Sequence, residues 1–259
     1  MKFHDIKNIV IIGTGNVATH IARALSNAGF TISQVYGRNV REAKRLSDEV
    51  NSIFTIDTDN IIPDADLYIL AITESAITSV LETIPQHNNL IVHTAGSIHM
   101  DVLKAYSENF GVLYPLQTFS KKDVINFSDI PFCIEANSQE NLESLINLAK
   151  SISDDVREVN SEERKLLHLA AVFACNFPNF LYTIAEDILN KKGIRFDILL
   201  PLIKKTTEKI YTLSPGDVQT GPAQRKDQET IRKHMALLEN IPEYKEIYRL
   251  LSEAIIKNK

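Results

Sequence analysis

The sequence predicts an α/β fold: an N-terminal doubly wound sheet followed by an all-α C-terminal domain. Three observations predict it. An apolar run near the N-terminus ends in a glycine turn that opens a helix. Short β-rich runs then alternate with helical stretches as far as residue 159. From residue 160 onward nearly every segment carries helical periodicity.

Taken in order, Asn8 to Ile12 (NIVII) is continuously apolar, as a strand buried on both faces of a parallel sheet should be. Gly13-Thr14-Gly15 follows, then a helix from Asn16 to Ala28 that Gly29 terminates. Thr31–Tyr36 reads as a second strand, Val40–Glu49 as a polar-faced helix and Ile53–Ile56 as a third strand. Asp66–Ala71, Asn89–His93 and Gly111–Tyr114 supply a fourth, fifth and sixth strand, separated by helices over Glu74–Thr83 and Met100–Ser107. Phe132–Glu135 and Asp155–Val159 flank a helix over Gln139–Ser151.

Asn160-Ser161-Glu162-Glu163 has the form of a capping box, with Asn160 as N-cap and Glu163 reaching back to it. The boundary therefore falls at 160/161, with helices expected over Ser161–Lys191, Phe196–Thr212, Asp227–Glu239 and Glu243–Lys257. Pro178 predicts a kink in the first of them, and Ser214–Gln224 reads as a loop.

The chain has 259 residues and a net charge of −5, which argues against a broad nucleic-acid surface while leaving room for a small basic pocket. Cys133 and Cys175 lack metal-type spacing and read as two buried thiols in a reducing compartment. No ligand cluster for a metal is evident, so a metal-dependent hydrolase using His93 and His168 is disfavoured. The short N-terminal apolar run is not a signal peptide, and no stretch approaches the ~20 apolar residues of a membrane span. A soluble cytoplasmic protein is expected, with no membrane or nucleic-acid partner.

Gly13-Thr14-Gly15-Asn16-Val17-Ala18 is GxGxxA in strand–turn–helix context. Gly13 permits the tight turn, Gly15 lets a pyrophosphate approach the backbone, and Ala18 lets helix and strand pack closely. The free amides and positive dipole end of the helix suit the phosphates. Residues 1–160 are thus expected to form an NAD(P)-binding Rossmann domain. At the end of the second strand, where an NAD enzyme usually offers a carboxylate, stands Tyr36-Gly37-Arg38-Asn39. Arg38 and Asn39 suit a 2′-phosphate, favouring NADP(H), with NAD(H) as the alternative. Arg41 and Arg45 read as a solvated helix face.

Ligands of such sheets bind beyond the carboxyl ends of the strands. Ala71, Ile72 and Thr73 fall there beside the cofactor's ribose. His93, Thr94, Gly96 and Ser97 offer polar groups and amides where a substrate carboxylate or carbonyl would bind, and Gln117 lies in the next such segment. A core role for His93 and a helix cap at Ser97 stay open. The helical domain, 161–259, must complete the site and mediate dimerisation. On its first helix Lys165, His168, Val172 and Asn176 share a stripe about 80° wide and roughly 16 Å long. His168 would donate a proton as hydride arrives, and Asn176 would orient the substrate. A structural role for His168 stays open, and Lys165 reads as solvent-exposed. Arg225 would clamp an anionic substrate, and Asp227 would cap the next helix.

The segments IIGTGNVATHIARAL, HTAGS, YPLQTFS, HLAAVFACNF and TGPAQRKD resemble Rossmann-like proteins with a C-terminal helical domain of unknown function. That group lies in the 6-phosphogluconate dehydrogenase-like superfamily, with pyrroline-5-carboxylate reductases, ketopantoate reductases, β-hydroxyacid dehydrogenases and deazaflavin-dependent NADP oxidoreductases. The resemblance implies an NADP oxidoreductase, dimeric through its helical domain. In β-hydroxyacid dehydrogenases a catalytic Lys is followed four residues on by Asn. Here Val172 stands four beyond His168, so that pair does not carry over. The expectation is hydride transfer on a small carbonyl, imine or hydroxy acid; the alternative is a non-catalytic NADP-binding sensor or assembly module.

Overall fold

A computed structural model describes residues 6–84 and 88–258. The described residues divide into two compact units, Met1–Asn176 and Phe177–Lys259.

The first unit carries eight strands, β1 (Asn8–Ile12), β2 (Thr31–Tyr36), β3 (Ile53–Thr55), β4 (Leu67–Leu70), β5 (Leu90–His93), β6 (Phe110–Pro115), β7 (Phe132–Ala136) and β8 (Val156–Glu158). They form one sheet in the order β3-β2-β1-β4-β5-β6-β7-β8. The first six are parallel; β7 runs antiparallel to β6, and β8 runs parallel to β7. The connection order reverses between β1 and β4, which opens a crevice at their carboxyl ends. Register aligns those ends: Ile12 pairs with Tyr36 on one side and Leu70 on the other, and Leu70 pairs with His93.

Alternation along β1 explains the two-sided core. Ile9 and Ile11 pack with Ile21, Leu25, Leu145 and Leu148 on one face, while Val10 and Ile12 pack with Tyr68, Leu70, Ile77 and Leu103 on the other. The covering helices are α1 (Asn16–Asn27), α2 (Val40–Glu49), the short α3 (Ile77–Leu81) and α4 (Gln139–Lys150).

Two expected helices are mostly replaced by turns. Glu74–Ala76 is a 3₁₀ turn leading into α3, in a segment where the β-branched Ile77, Thr78, Val80 and Thr83 disfavour extension. Met100–Leu103 is a single 3₁₀ turn, started by the His99 side chain accepting from the Asp101 amide. Ser107 ends this segment by donating to the Asn89 carbonyl.

The expected capping box is present. Asn160 accepts from the Glu162 and Glu163 amides, and Glu163 accepts from the Asn160 amide. It starts a helix spanning Ser161–Asn190, made of α5 (Ser161–Ala171), a π-helical turn (Val172–Asn176) and α6 (Phe177–Asn190). Pro178 has no amide to return to the preceding turn, and the ladder widens just before it. This corrects the stripe expected for Lys165, His168, Val172 and Asn176. The π turn fits more residues into a turn than an α-helix does, so the constant 100° step behind that stripe does not hold across Val172–Asn176.

By length and composition this helix is apolar enough to cross a membrane, with a mean hydropathy of 1.3, contrary to the expectation that no stretch qualifies. Many of its apolar side chains, among them Leu166, Leu169, Phe173 and Phe180, are exposed. Cys175 is exposed with them, so only Cys133 is the buried thiol expected.

The second unit continues with α7 (Leu200–Lys209), α8 (Gln228–Leu237) and α9 (Pro242–Lys257). Its first expected helix opens as a 3₁₀ turn, Phe196–Leu199. Asp227 caps α8 by accepting from the Thr230 amide and hydroxyl.

Candidate dinucleotide and substrate site

A cavity of about 720 Å³ opens at the carboxyl ends of the strands and is lined wholly by residues of the first unit. Its size suits a small-molecule or cofactor site.

The floor is the glycine turn. Gly13 has φ +128°, and its amide donates to the Tyr36 carbonyl at 2.8 Å. A Cβ there would collide with the Ala71 carbonyl, so the close approach of two strand ends requires glycine. Gly15 differs: a Cβ would meet nothing within 4 Å, only the cavity. Gly15 also occupies the N-cap of α1 without a side-chain cap, so the first-turn amides stay available to an anion. These features fit a dinucleotide pyrophosphate. Thr14, Asn16 and Val17 line the same wall, and the Asn16 amide side chain is tied to the Phe119 carbonyl at 2.7 Å.

Arg38 and Asn39 line the cavity beyond β2. Arg38 is exposed and makes no hydrogen bond or ion pair among the described residues, leaving its guanidinium open to a phosphate. Asn39 is partly committed, because its side-chain oxygen caps α2 through the Arg41 and Glu42 amides. The next carboxylate, Glu42, is occupied by Lys121 and Arg45, and the Lys121 hydrogen bond above all holds its pKa below the usual range. Arg45 pairs with Glu42 and Glu49 on the helix surface.

Ala71, Ile72 and Thr73 line the middle of the cavity, and Thr94, Gly96, Gln117 and His168 line the far end. Four sequence candidates are not among the lining residues. His93 is fully buried, its Nδ1 accepting from the Ala95 amide; burial pushes its pKa down to about 3, so it stays uncharged in the core. Ser97 turns its amide and hydroxyl to the Glu74 carboxylate at 3.0 and 2.5 Å. Asn176 is exposed at the end of the π turn. Arg225 is exposed on the turn before α8, in the second unit.

Among the lining residues not assigned a site role from the sequence, two bear on the chemistry. Tyr114, on β6, places its hydroxyl 3.0 Å from His168 Nδ1. Burial pushes its pKa up to about 12, so it keeps its proton and is able to donate it to the imidazole. His168 Nε2 is left free of protein partners among the described residues. The other is Glu74, after β4. The packing around His168 depends on Gly96, where a Cβ would lie 2.5 Å from Nδ1. Gly96→Ala is therefore expected to displace the imidazole and break its bond to Tyr114, while the fold survives. A crystal structure of the variant with that bond intact would contradict it.

Residues 8–96 match the family model described as coenzyme F420-dependent NADP oxidoreductase, and residues 130–255 match a domain of unknown function (DUF2520). A Bacteroides fragilis protein, provisionally named an NADP oxidoreductase, is 42% identical, with 98% of this chain and 99% of that one covered at a TM-score of 0.91. The chain belongs to its family.

Within this family's two-part sequence, the second matched segment begins inside the sheet, at the strands that reverse direction, and not at the first helix after it. Tyr114 lies between the two matched segments. The fold recurs in the 1-pyrroline-5-carboxylate reductase of Streptococcus pyogenes, 16% identical over 95% of this chain and 98% of that one, with a TM-score of 0.62. It recurs also in an imine reductase of Myxococcus stipitatus solved with NADP+, 14% identical over 96% and 92%, with a TM-score of 0.70. No curated protein matches the chain.

Proposed function

We propose that this protein is an NADP(H)-dependent oxidoreductase acting on a small carbonyl or imine. One observation carries the reading: a single cavity joins the uncapped glycine turn to the Tyr114–His168 pair. Gly13–Val17 would hold the pyrophosphate, Arg38 the 2′-phosphate, and Ala71–Thr73 the sugar between them. When bound, NADPH supplies a hydride. The chain's own part is to orient the substrate and deliver a proton. Tyr114 donates to His168 Nδ1, which fixes the proton of the neutral ring on Nε2 and makes that N–H the donor.

The exposed apolar side chains along Ser161–Asn190 support a homodimer formed through the helical region, where a second copy would cover them. Two unpaired cysteines and a net charge of −5 support a cytoplasmic setting without nucleic-acid partners.

Calorimetry with NADPH and NADH tests the cofactor assignment. Arg38→Ala is expected to weaken NADPH binding by about 1.5–3 kcal/mol, the range of a hydrogen bond to a charged group, with little change for NADH. Equal losses for both would remove Arg38 from the 2′-phosphate. Tight NADPH binding with no turnover on a panel of ketones and cyclic imines would make the protein a non-catalytic binding module.

A further inference from the structure

We propose that the substrate end of the cavity takes a cationic nitrogen, an iminium or protonated amine, held by Glu74. This rests on the oxidoreductase reading and narrows its substrate class.

Among the described residues, Arg38 and Glu74 are the only Lys, Arg, Asp or Glu side chains lining the cavity. Arg38 follows β2 and Glu74 follows β4, and these strands flank β1 on opposite sides. The free cation therefore lies on one side of the glycine turn. The carboxylate lies on the other, toward β5 and β6, where Gly96 and Tyr114 stand.

The carboxylate is held in place. Ser97 donates its amide to one Glu74 oxygen at 3.0 Å and its hydroxyl to the other at 2.5 Å. Each oxygen keeps a further lone pair for a ligand. The same contacts withdraw Ser97 from the donors that the sequence offered to a substrate carboxylate or carbonyl, because it spends its amide and hydroxyl on the chain's own carboxylate.

Burial above all, then Cys133, pushes the Tyr114 hydroxyl up; Arg164 pulls it down, and Glu74 adds the smallest of the four contributions, upward. Arg164 is fully buried and ion-paired with Glu135, so it offers a ligand no free charge. Lys165, its neighbour on α5, is paired with Glu162. An anionic group entering here would meet Glu74 with no free Lys or Arg among the described lining residues on that side to offset it, whereas a cationic nitrogen gains a charge-assisted hydrogen bond.

Calorimetry on the NADP+-saturated protein tests this with three five-membered rings: pyrrolidine, cationic at neutral pH, neutral cyclopentanol and anionic cyclopentanecarboxylate. Pyrrolidinium is expected to bind at least about tenfold more tightly than either, about 1.4 kcal/mol. Glu74→Gln should abolish that preference and leave the NADP+ Kd unchanged. Ser97→Ala, which frees the carboxylate without removing its charge, should weaken the preference without abolishing it. The proposal is overturned if the carboxylate ligand binds as well as pyrrolidinium, if pyrrolidinium does not bind, or if Glu74→Gln leaves its affinity unchanged. It is also overturned if Glu74→Gln weakens NADP+ instead, which would assign that side chain to the cofactor. Failure of the unmodified protein to bind NADP+ would sink the oxidoreductase reading itself, and this inference with it.

Discussion

His168→Ala is expected to lower kcat by about 10²- to 10⁴-fold, the span that a positioned proton donor contributes, while the Kd for NADPH stays essentially unchanged. The separation follows from the layout of the cavity. The glycine turn and Arg38 line one part, after β1 and β2, and His168 lines the part toward β5 and β6 with Tyr114. Tyr114→Phe should produce a smaller fall in kcat. It leaves the imidazole present but removes the hydroxyl that selects its tautomer, so the pH profile of kcat should move in that variant and the NADPH Kd should not. A merely structural Tyr114 would lower stability without moving the profile. Stopped-flow measurement of NADPH consumption at several pH values distinguishes these outcomes. Unchanged turnover in both variants would take the pair out of the chemistry and leave only the cofactor site standing.

The features legible in the sequence were those with local signals. The glycine turn, its strand and its helix lie within twenty consecutive residues, and each residue's task depends on its immediate neighbours. The strands of the sheet announced themselves as apolar runs, and the capping box at Asn160 is a four-residue pattern. Arg38 was legible because the strand end where it stands has a fixed relation to the glycine turn in this architecture.

What stayed hidden is non-local. Tyr114 and His168 meet across 54 residues, and nothing in either segment names the other. The one available signal was position: Tyr114 ends an apolar strand with a polar tip at the sheet's functional edge. Glu74 and Ser97 meet across 23 residues, and that pairing reverses the sign of the group expected at Ser97. Asn176 was placed by arithmetic that assumed a constant 100° per residue, and the π turn invalidates it. His93 looked like a site residue because it closes a strand at the functional edge; its burial depends on what packs above it, which one strand's sequence does not reveal.

The largest loss of stability is expected from Arg164→Ala, at about 3–5 kcal/mol. Arg164 is wholly buried. Its guanidinium donates to Glu135 at 2.5 Å, to the Ile98 carbonyl at 2.6 Å and to the Ser161 hydroxyl at 3.1 Å. Ser161 in turn donates its hydroxyl and its amide to the two oxygens of the same carboxylate, at 2.7 and 2.9 Å. Truncating Arg164 leaves the Glu135 charge without its counter-ion and the Ile98 carbonyl without that donor, and opens a cavity beneath α5. The cost comes mostly from the stranded partner, so the double variant Arg164→Met, Glu135→Leu should recover much of the loss. Urea denaturation of the three proteins measures this; a single variant no less stable than the double would refute it. The consequence reaches the site as well. Arg164 joins the start of α5 to strand β7 and to the chain at Ile98, two residues after Gly96, and His168 stands one turn further along the same helix. Arg164→Lys keeps the charge but lacks the planar fork that reaches three acceptors at once. It should therefore loosen the packing of His168 against Gly96 and lower kcat even in whatever fraction remains folded, while the NADPH Kd, set at the glycine turn, holds.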